Sequence, residues 1–257
     1  MRKVLVMPLF GQLNLQSVLA RLPEMQDFET EPWELPGAEI LQLSFEVGQE
    51  RADASLPKAM HPAVPRYVTC VISYFPQTPV GPFHLAQLRL MGRAGVHPRG
   101  YVLQAYTDAP AATQALRQRW GFPVHTAEEV ALRTHYDRIF ATVVKSGQRI
   151  LDVALSQSET VSGADIQYIS SVHLAQVIGI DTPGPRLVQI DPRYTFHRAE
   201  RGRPVLRYLD EAAWHCTGFS MVNTIVGSLT TVDTDLPRIR FVMDPELPVV
   251  QGTTRIH

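Results

Sequence analysis

Lysine is the scarcest charged residue in this 257-residue chain: Lys3, Lys58 and Lys145 are the only three, and arginine supplies nearly all the other basic charge. Chemistry through a side-chain amine therefore has three candidates. Cysteine is rarer still. Cys70 and Cys216 are too few for a disulfide framework or a four-thiolate zinc site, and their apolar surroundings mark them as reduced core residues. Charge of one sign is not in excess either, with 24 basic and 25 acidic residues and a net charge of -1. That balance gives no electrostatic reason to bind nucleic acid or an anionic membrane. No stretch approaches the ~20 apolar residues of a membrane helix. The segment Met1 to Phe10 begins basic and turns apolar, but Gln12, Asn14 and Gln16 interrupt it. It is too short for a leader peptide and reads as a strand or ordered arm of a cytoplasmic protein.

Metal and phosphate signatures are missing as well. There is no His-x-x-x-His, Cys-x-x-Cys or clustered-carboxylate pattern, and Asp233, Asp235 and Asp244 lack calcium-loop spacing. Ser162-Gly163 and Thr182-Pro183-Gly184-Pro185 are turn chemistry rather than a phosphate cradle. In Trp214-His215-Cys216 the adjacent His and Cys project to opposite faces of a strand, so they form no dyad by themselves. No metal and no cofactor are expected.

What is present suits one folded unit. The chain is 45% hydrophobic and 19% charged, enough for a sizeable core. Nothing in its composition marks a boundary, so it reads as a single domain over 1–257, with 1–36 as an N-terminal extension. Twenty scattered prolines favour many short elements over long helices. Residues 12–22 suggest a short helix, 23–37 a loop, and 56–65 a proline-rich connection. Strand signals dominate elsewhere: 39–47, 67–75, 83–91, 101–106 after a turn at 97–100, and a hairpin of 138–144 and 149–156 turning at 145–148. Residues 170–178 fit either helix or strand. Short strands follow at 187–190, 194–198, 205–208, 218–229 and 239–243. A helix should start after Asp108, which can cap it, with Pro110 in its first turn, and stop before Gly121. The class is mainly β (α+β): a closed or cone-like antiparallel barrel with short flanking helices, one strand face enclosing a ligand.

The stretch Arg117-Gln118-Arg119-Trp120-Gly121-Phe122-Pro123-Val124-His125 resembles the signature of the acetoacetate decarboxylase family, roughly G-R-E-x-W-G-[FY]-P-K-K. Leu56-Pro57 through Tyr74 to Pro79-Val80-Gly81-Pro82-Phe83 is similar to the family's L-P … P-[YF]-x-E pattern, and the hairpin from Ile139 to Leu155 follows in family order. The resemblance spans residues ~40–160, and Trp-Gly-Phe-Pro is its most specific part. It implies a cone-like β-barrel, often oligomeric, so a homo-oligomer is expected. It also implies a lysine that attacks a ketone to give an iminium electron sink, its amine kept neutral by burial and an adjacent cation.

The departures from that pattern shape the functional expectation. The Schiff-base position falls on Val124 and the second lysine on His125; the family glutamates fall on Leu85 and Gln118. No lysine lies between Lys58 and Lys145, and each of those sits in a turn or connection that favours solvent. Along 84–89, period two puts Leu85, Gln87 and Arg89 on one face. A buried arginine there needs a partner or an anionic ligand. Gln87, Arg89 and His125 are therefore the catalytic candidates. Phe83, Leu85, Trp120, Phe122, Val124, Tyr74 and Tyr106 are the candidates for contacting substrate; each aromatic can equally serve as core.

The resulting expectation is a Schiff-base-independent enzyme acting on a small or medium hydrophobic carbonyl or carboxylate substrate, by cyclisation, cycloaddition, dehydration or isomerisation, in a natural-product setting. Two alternatives remain: a non-catalytic carrier of a hydrophobic small molecule, and a keto-acid decarboxylase using Lys58 or Lys145.

Overall fold

The computed structural model describes residues 10–26, 31–136, 138–180 and 183–256. The expected arm at the N-terminus falls almost wholly in 1–9, outside the described residues, as does Lys3. In chain order the strands are β1 (Glu24–Met25), β2 (Trp33–Val47), β3 (Met60–Pro62), β4 (Tyr67–Phe75), β5 (Phe83–Ala94), β6 (His97–Thr107), β7 (Val124–Thr126) and β8 (Glu129–His135). Then come β9 (Arg138–Lys145), β10 (Gln148–Thr160), β11 (Ser171–Val177), β12 (Gly184–Ile190), β13 (Tyr194–Leu209), β14 (Met221–Leu236), β15 (Phe241–Met243) and β16 (Thr253–Arg255). The helices are α1 (Gln49–Ser55), α2 (Pro110–Trp120) and α3 (Val249–Gly252).

All the strands join one sheet in the order β16-β15-β12-β11-β6-β5-β4-β2-β14-β13-β10-β9-β8, with β1 on β11, β3 on β5 and β7 on β6. Most pairs are antiparallel; β1–β11, β6–β11 and β6–β7 are parallel. The sheet does not close through hydrogen bonds. Instead β8 comes back against β4, β5 and β6, and the curl produces a cone-like shape. Among the described residues no helix is long and apolar enough to cross a membrane.

The central strands bury both faces. On β4, Val68, Cys70 and Ile72 join one core, and Val71 and Phe75 join the other. The first core fills the space between β4–β6 and β8–β10. The second lies on the opposite face, where α2, β11 and β12 cover the sheet. Within the first, Arg66 and Asp53 form a buried two-point ion pair at 2.9 and 3.0 Å.

Several local expectations are corrected. Residues 12–22 form two single 3₁₀ turns rather than a helix, because the N–H groups of Gln12 and Leu13 bond to Asp53 and Leu56 carbonyls instead of feeding a helical ladder. The expected loop at 23–37 becomes strand from Trp33 onward. Pro36 and Gly37 sit in a bulge against β14, and Asp233 Oδ1 accepts the Gly37 N–H at 2.8 Å. The expected turn at 97–100 lies in β6, and the chain reverses at Gly95-Val96, where Gly95 has φ +60°. Residues 170–178 resolve as strand β11, and 194–198 and 205–208 belong to the single strand β13. The stretch 56–65 contains the strand β3, and 49–55 forms the unanticipated α1. His215 occupies a turn with φ +55° rather than a strand.

The α2 region fixes the site. Pro110 opens the helix, but Asp108 does not cap it. Its carboxylate accepts the His84 backbone N–H at 2.8 Å and contacts His84 Nδ1 at 2.7 Å. Gly121 ends the helix at φ +67°, and a Cβ there would lie 2.7 Å from Ala175 Cβ. Only glycine serves both the left-handed cap and this close approach. Phe122 and Val124 then turn back under the sheet.

Candidate active site

Phe83, Leu85, Gln87 and Arg89 alternate along β5 onto one face, and all four line a cavity of about 50 Å³. Val71, Phe75, Leu116 and Phe122 complete much of its apolar wall. Its polar members are Arg89, Gln87, Tyr168, Tyr194, Asp235 and the hydroxyls of Ser73, Ser171 and Thr234. The wall is contributed by β2, β4, β5, α2, β11, β12, β13 and β14, so no local segment contains the site.

Arg89 is its chemical centre. The guanidinium donates from Nε to Gln87 Oε1 at 2.8 Å and from Nη1 to the Ile169 carbonyl at 3.3 Å. Among the described residues no carboxylate comes within ion-pair distance of it. Burial lowers its affinity for a proton, while Tyr194 and Tyr168 act in the opposite direction; an arginine nonetheless stays charged. Burial likewise raises the Tyr168 and Tyr194 pKa values, against the opposing pull of Arg89. Both phenols are therefore protonated donors. Tyr168 Oη pairs with Thr230 Oγ1 at 2.5 Å.

Among the described residues, Asp235 is the one carboxylate lining the cavity. Its Oδ1 accepts the Arg193 backbone N–H at 2.7 Å, and its Oδ2 accepts Nε and Nη2 of the same residue at 3.0 and 2.8 Å. Behind Phe122, His173 stacks on the ring with centroids 4.4 Å apart. Its Nε2–H donates to the Trp120 carbonyl at 2.7 Å, leaving Nδ1 buried without a partner. Burial, above all, lowers the His173 pKa to about 4.

The other candidates lie away from this cavity. Trp120 is fully buried, donates Nε1–H to the Pro237 carbonyl at 2.9 Å and meets Trp33 edge-on at 5.0 Å. Val124 is fully buried in the second core, opposite Ala105 of β6. Tyr74 faces away from Arg89 and stacks on His84 at 4.6 Å. Tyr106 faces the first core and gives its hydroxyl proton to the Ala213 carbonyl at 2.7 Å.

His125 is exposed and lines a separate cleft with Arg21, Gln104 and His215. Desolvation first, then Arg117 and Lys145, lower its pKa. Neither described lysine lines the cavity. Lys58 pairs with Glu246 at 2.5 Å, and Lys145 lies over the Tyr106 ring at 4.9 Å. Among the described residues no group of three or more His, Cys, Asp or Glu could hold a metal.

Sequence reasoning missed Tyr168, Tyr194, Ser171 and Asp235. Tyr194 opens a strand signal, but nothing local tells which strand will lie across from β5. Asp235 carried no motif of its own.

A curled, mostly antiparallel sheet that encloses a small cavity defines a cone-like β protein. More specifically, the chain belongs to the acetoacetate decarboxylase family, whose model matches residues 22–245. No curated protein matches it in sequence. The fold is similar to acetoacetate decarboxylase from Legionella pneumophila subsp. pneumophila str. Philadelphia 1, with 17% identity and a TM-score of 0.73 over 84% of this chain and 88% of that one. The enduracididine biosynthesis enzyme MppR complexed with pyruvate matches at 14% identity and TM-score 0.65, covering 85% and 97% of the two chains. An acetoacetate decarboxylase-like enzyme from Sphingomonas wittichii RW1 matches at 14% and 0.61, over 88% and 92%.

Proposed function

We propose that this protein is an enzyme that binds a small oxo acid without forming a Schiff base and promotes a proton-moving reaction on it, isomerisation or dehydration. The observation that carries this reading is Arg89: a cation in the cavity wall, positioned by Gln87 and Ile169, with no carboxylate partner among the described residues. A buried charge left without a counter-ion is costly, and a substrate carboxylate or enolate would supply one. Arg89 would draw electron density from the oxo group and acidify the adjacent carbon. Tyr168 and Tyr194 would donate to the developing oxyanion. Asp235 is the candidate base.

The apolar wall excludes water and strengthens each of these interactions. About 50 Å³ holds roughly three to five waters, which suits an oxo-acid head. Pyruvate, which MppR holds in its complex, is a suitable probe.

The test combines calorimetry with pyruvate or acetoacetate and borohydride trapping followed by intact mass. Saturable binding with no mass increase is the expected result. A reduced adduct on Lys58 or Lys145 would restore amine chemistry and end this proposal.

A further inference from the structure

Arg89 borders a second cavity as well as the chamber. This vestibule, about 400 Å³, opens to solvent along the same sheet face. Strand register explains the continuity. Arg89 of β5 lies opposite Thr69 of β4, Thr69 opposite Ser44 of β2, and Ser44 opposite Val226 of β14. The adjacent row runs Gln87, Val71, Gln42, Ser228. These rows carry Thr69, Ser44, Gln42 and Ser228, with Val71 and Val226 among them, out from the chamber past Arg89 into the vestibule.

The chemistry of the vestibule is specific. Ser44, Thr69 and Ser228 are buried neutral polar residues. Ser44 and Thr69 hydroxyls share a hydrogen bond at 3.0 Å, which leaves each with further bonding capacity. Gln42 reaches the Gln167 carbonyl only at 3.5 Å, the outer limit of a hydrogen bond. Pro65, Met91, Ile166, Ile169, Ile225 and Val226 supply apolar contact around them. Besides Arg89, the only charged side chains in the lining among the described residues are Asp165 and Arg201, both exposed at the rim. Such a surface suits a chain that is polar and uncharged. A head-sized ligand alone would leave these groups to water.

We infer that the natural substrate is an oxo acid bearing a neutral hydroxyl- or amide-bearing chain, its head at Arg89 and its chain in the vestibule. This rests on the reading of Arg89 as the oxo-acid anchor. Two additional hydrogen bonds in a part-desolvated groove correspond to roughly a tenfold to thirtyfold gain in affinity.

Calorimetry on the full chain with pyruvate, 2-oxopentanoate, 5-hydroxy-2-oxopentanoate and 2-oxoglutarate tests it. The hydroxylated acid should bind at least about tenfold more tightly than the other three. In Ser228→Val and, separately, Thr69→Val, the ratio of its affinity to that of pyruvate should fall toward one. Pyruvate binding with no advantage for the hydroxylated chain overturns the inference and leaves the oxo-acid anchor standing. An advantage that persists in both variants overturns it too, since the chain then lies elsewhere. Binding of none of the four overturns both readings. If one variant fails to fold, the other and the wild-type series still decide.

Discussion

Replacing Arg89 with methionine separates a ligand-binding cation from a structural one. In the structure Arg89 spends two donors on Gln87 Oε1 and the Ile169 carbonyl, which leaves the remaining guanidinium donors for a ligand. One or two charge-assisted hydrogen bonds, at about 1.5–3 kcal/mol each, make the expected loss about 2–4 kcal/mol. That is a rise of roughly 30-fold to 700-fold in Kd for pyruvate at 1.4 kcal/mol per decade. Stability should respond differently. No carboxylate is orphaned, the methionine fills much of the same volume, and the lost protein hydrogen bonds are offset by removal of a buried charge. The melting temperature should therefore move by only a few degrees, since about 1 kcal/mol shifts a domain of this size by roughly 2–4 °C. Calorimetry with pyruvate and a thermal melt of the same preparations measure both quantities. Unchanged pyruvate affinity in a folded Arg89→Met protein would refute the reasoning. Collapse of the fold would show instead that the cation is structural.

Further outcomes follow from the same geometry. His173 has a folded pKa near 4 against an ordinary 6.5, so between those values the unfolded chain binds the extra proton. Its neutral form contributes stability that is present above pH 6.5 and lost as pH falls toward 4, on the order of 3 kcal/mol; urea melts of wild type and His173→Gln should diverge in pH slope over that window, and parallel slopes would contradict it. Burial pushes the Cys70 and Cys216 thiols up to about 12, so neither should react with a thiol reagent at pH 8 until urea is added; rapid labelling of the native protein would overturn that placement. Gly121→Ala combines a positive φ with a 2.7 Å clash against Ala175 and should cost about 2–4 kcal/mol, read as a melting temperature lower by roughly 5–15 °C; an unchanged melt would mean that the α2 terminus relaxes freely. Arg66→Met strips the buried Asp53 of its partner and should destabilise by about 3–5 kcal/mol, whereas an effect below 1 kcal/mol would mark that carboxylate as hydrated.

The amino-acid sequence by itself determined the β-rich class, the span of β4, and the hairpin turning at Ser146-Gly147, both of which have positive φ. It also determined the orientation of β5, because period-two alternation fixes which side chains share a face whatever lies opposite. The Trp-Gly-Phe-Pro stretch likewise announced a helix end at Gly121, since a left-handed cap is a local property. What sequence could not decide is which face gains a cover. Tyr106 and Leu85 are both apolar-facing strand residues, yet one packs in the first core and the other borders the chamber. Period two also separates Val124 from His125, and burial of the former sends the latter outward to its own cleft. Tyr168, Tyr194 and Asp235 reach Arg89's chamber from strands and loops 79 to 146 residues further along the chain. Only the order of strands in the curled sheet, set by long-range hydrogen bonding and by the packing of two cores, brings them there.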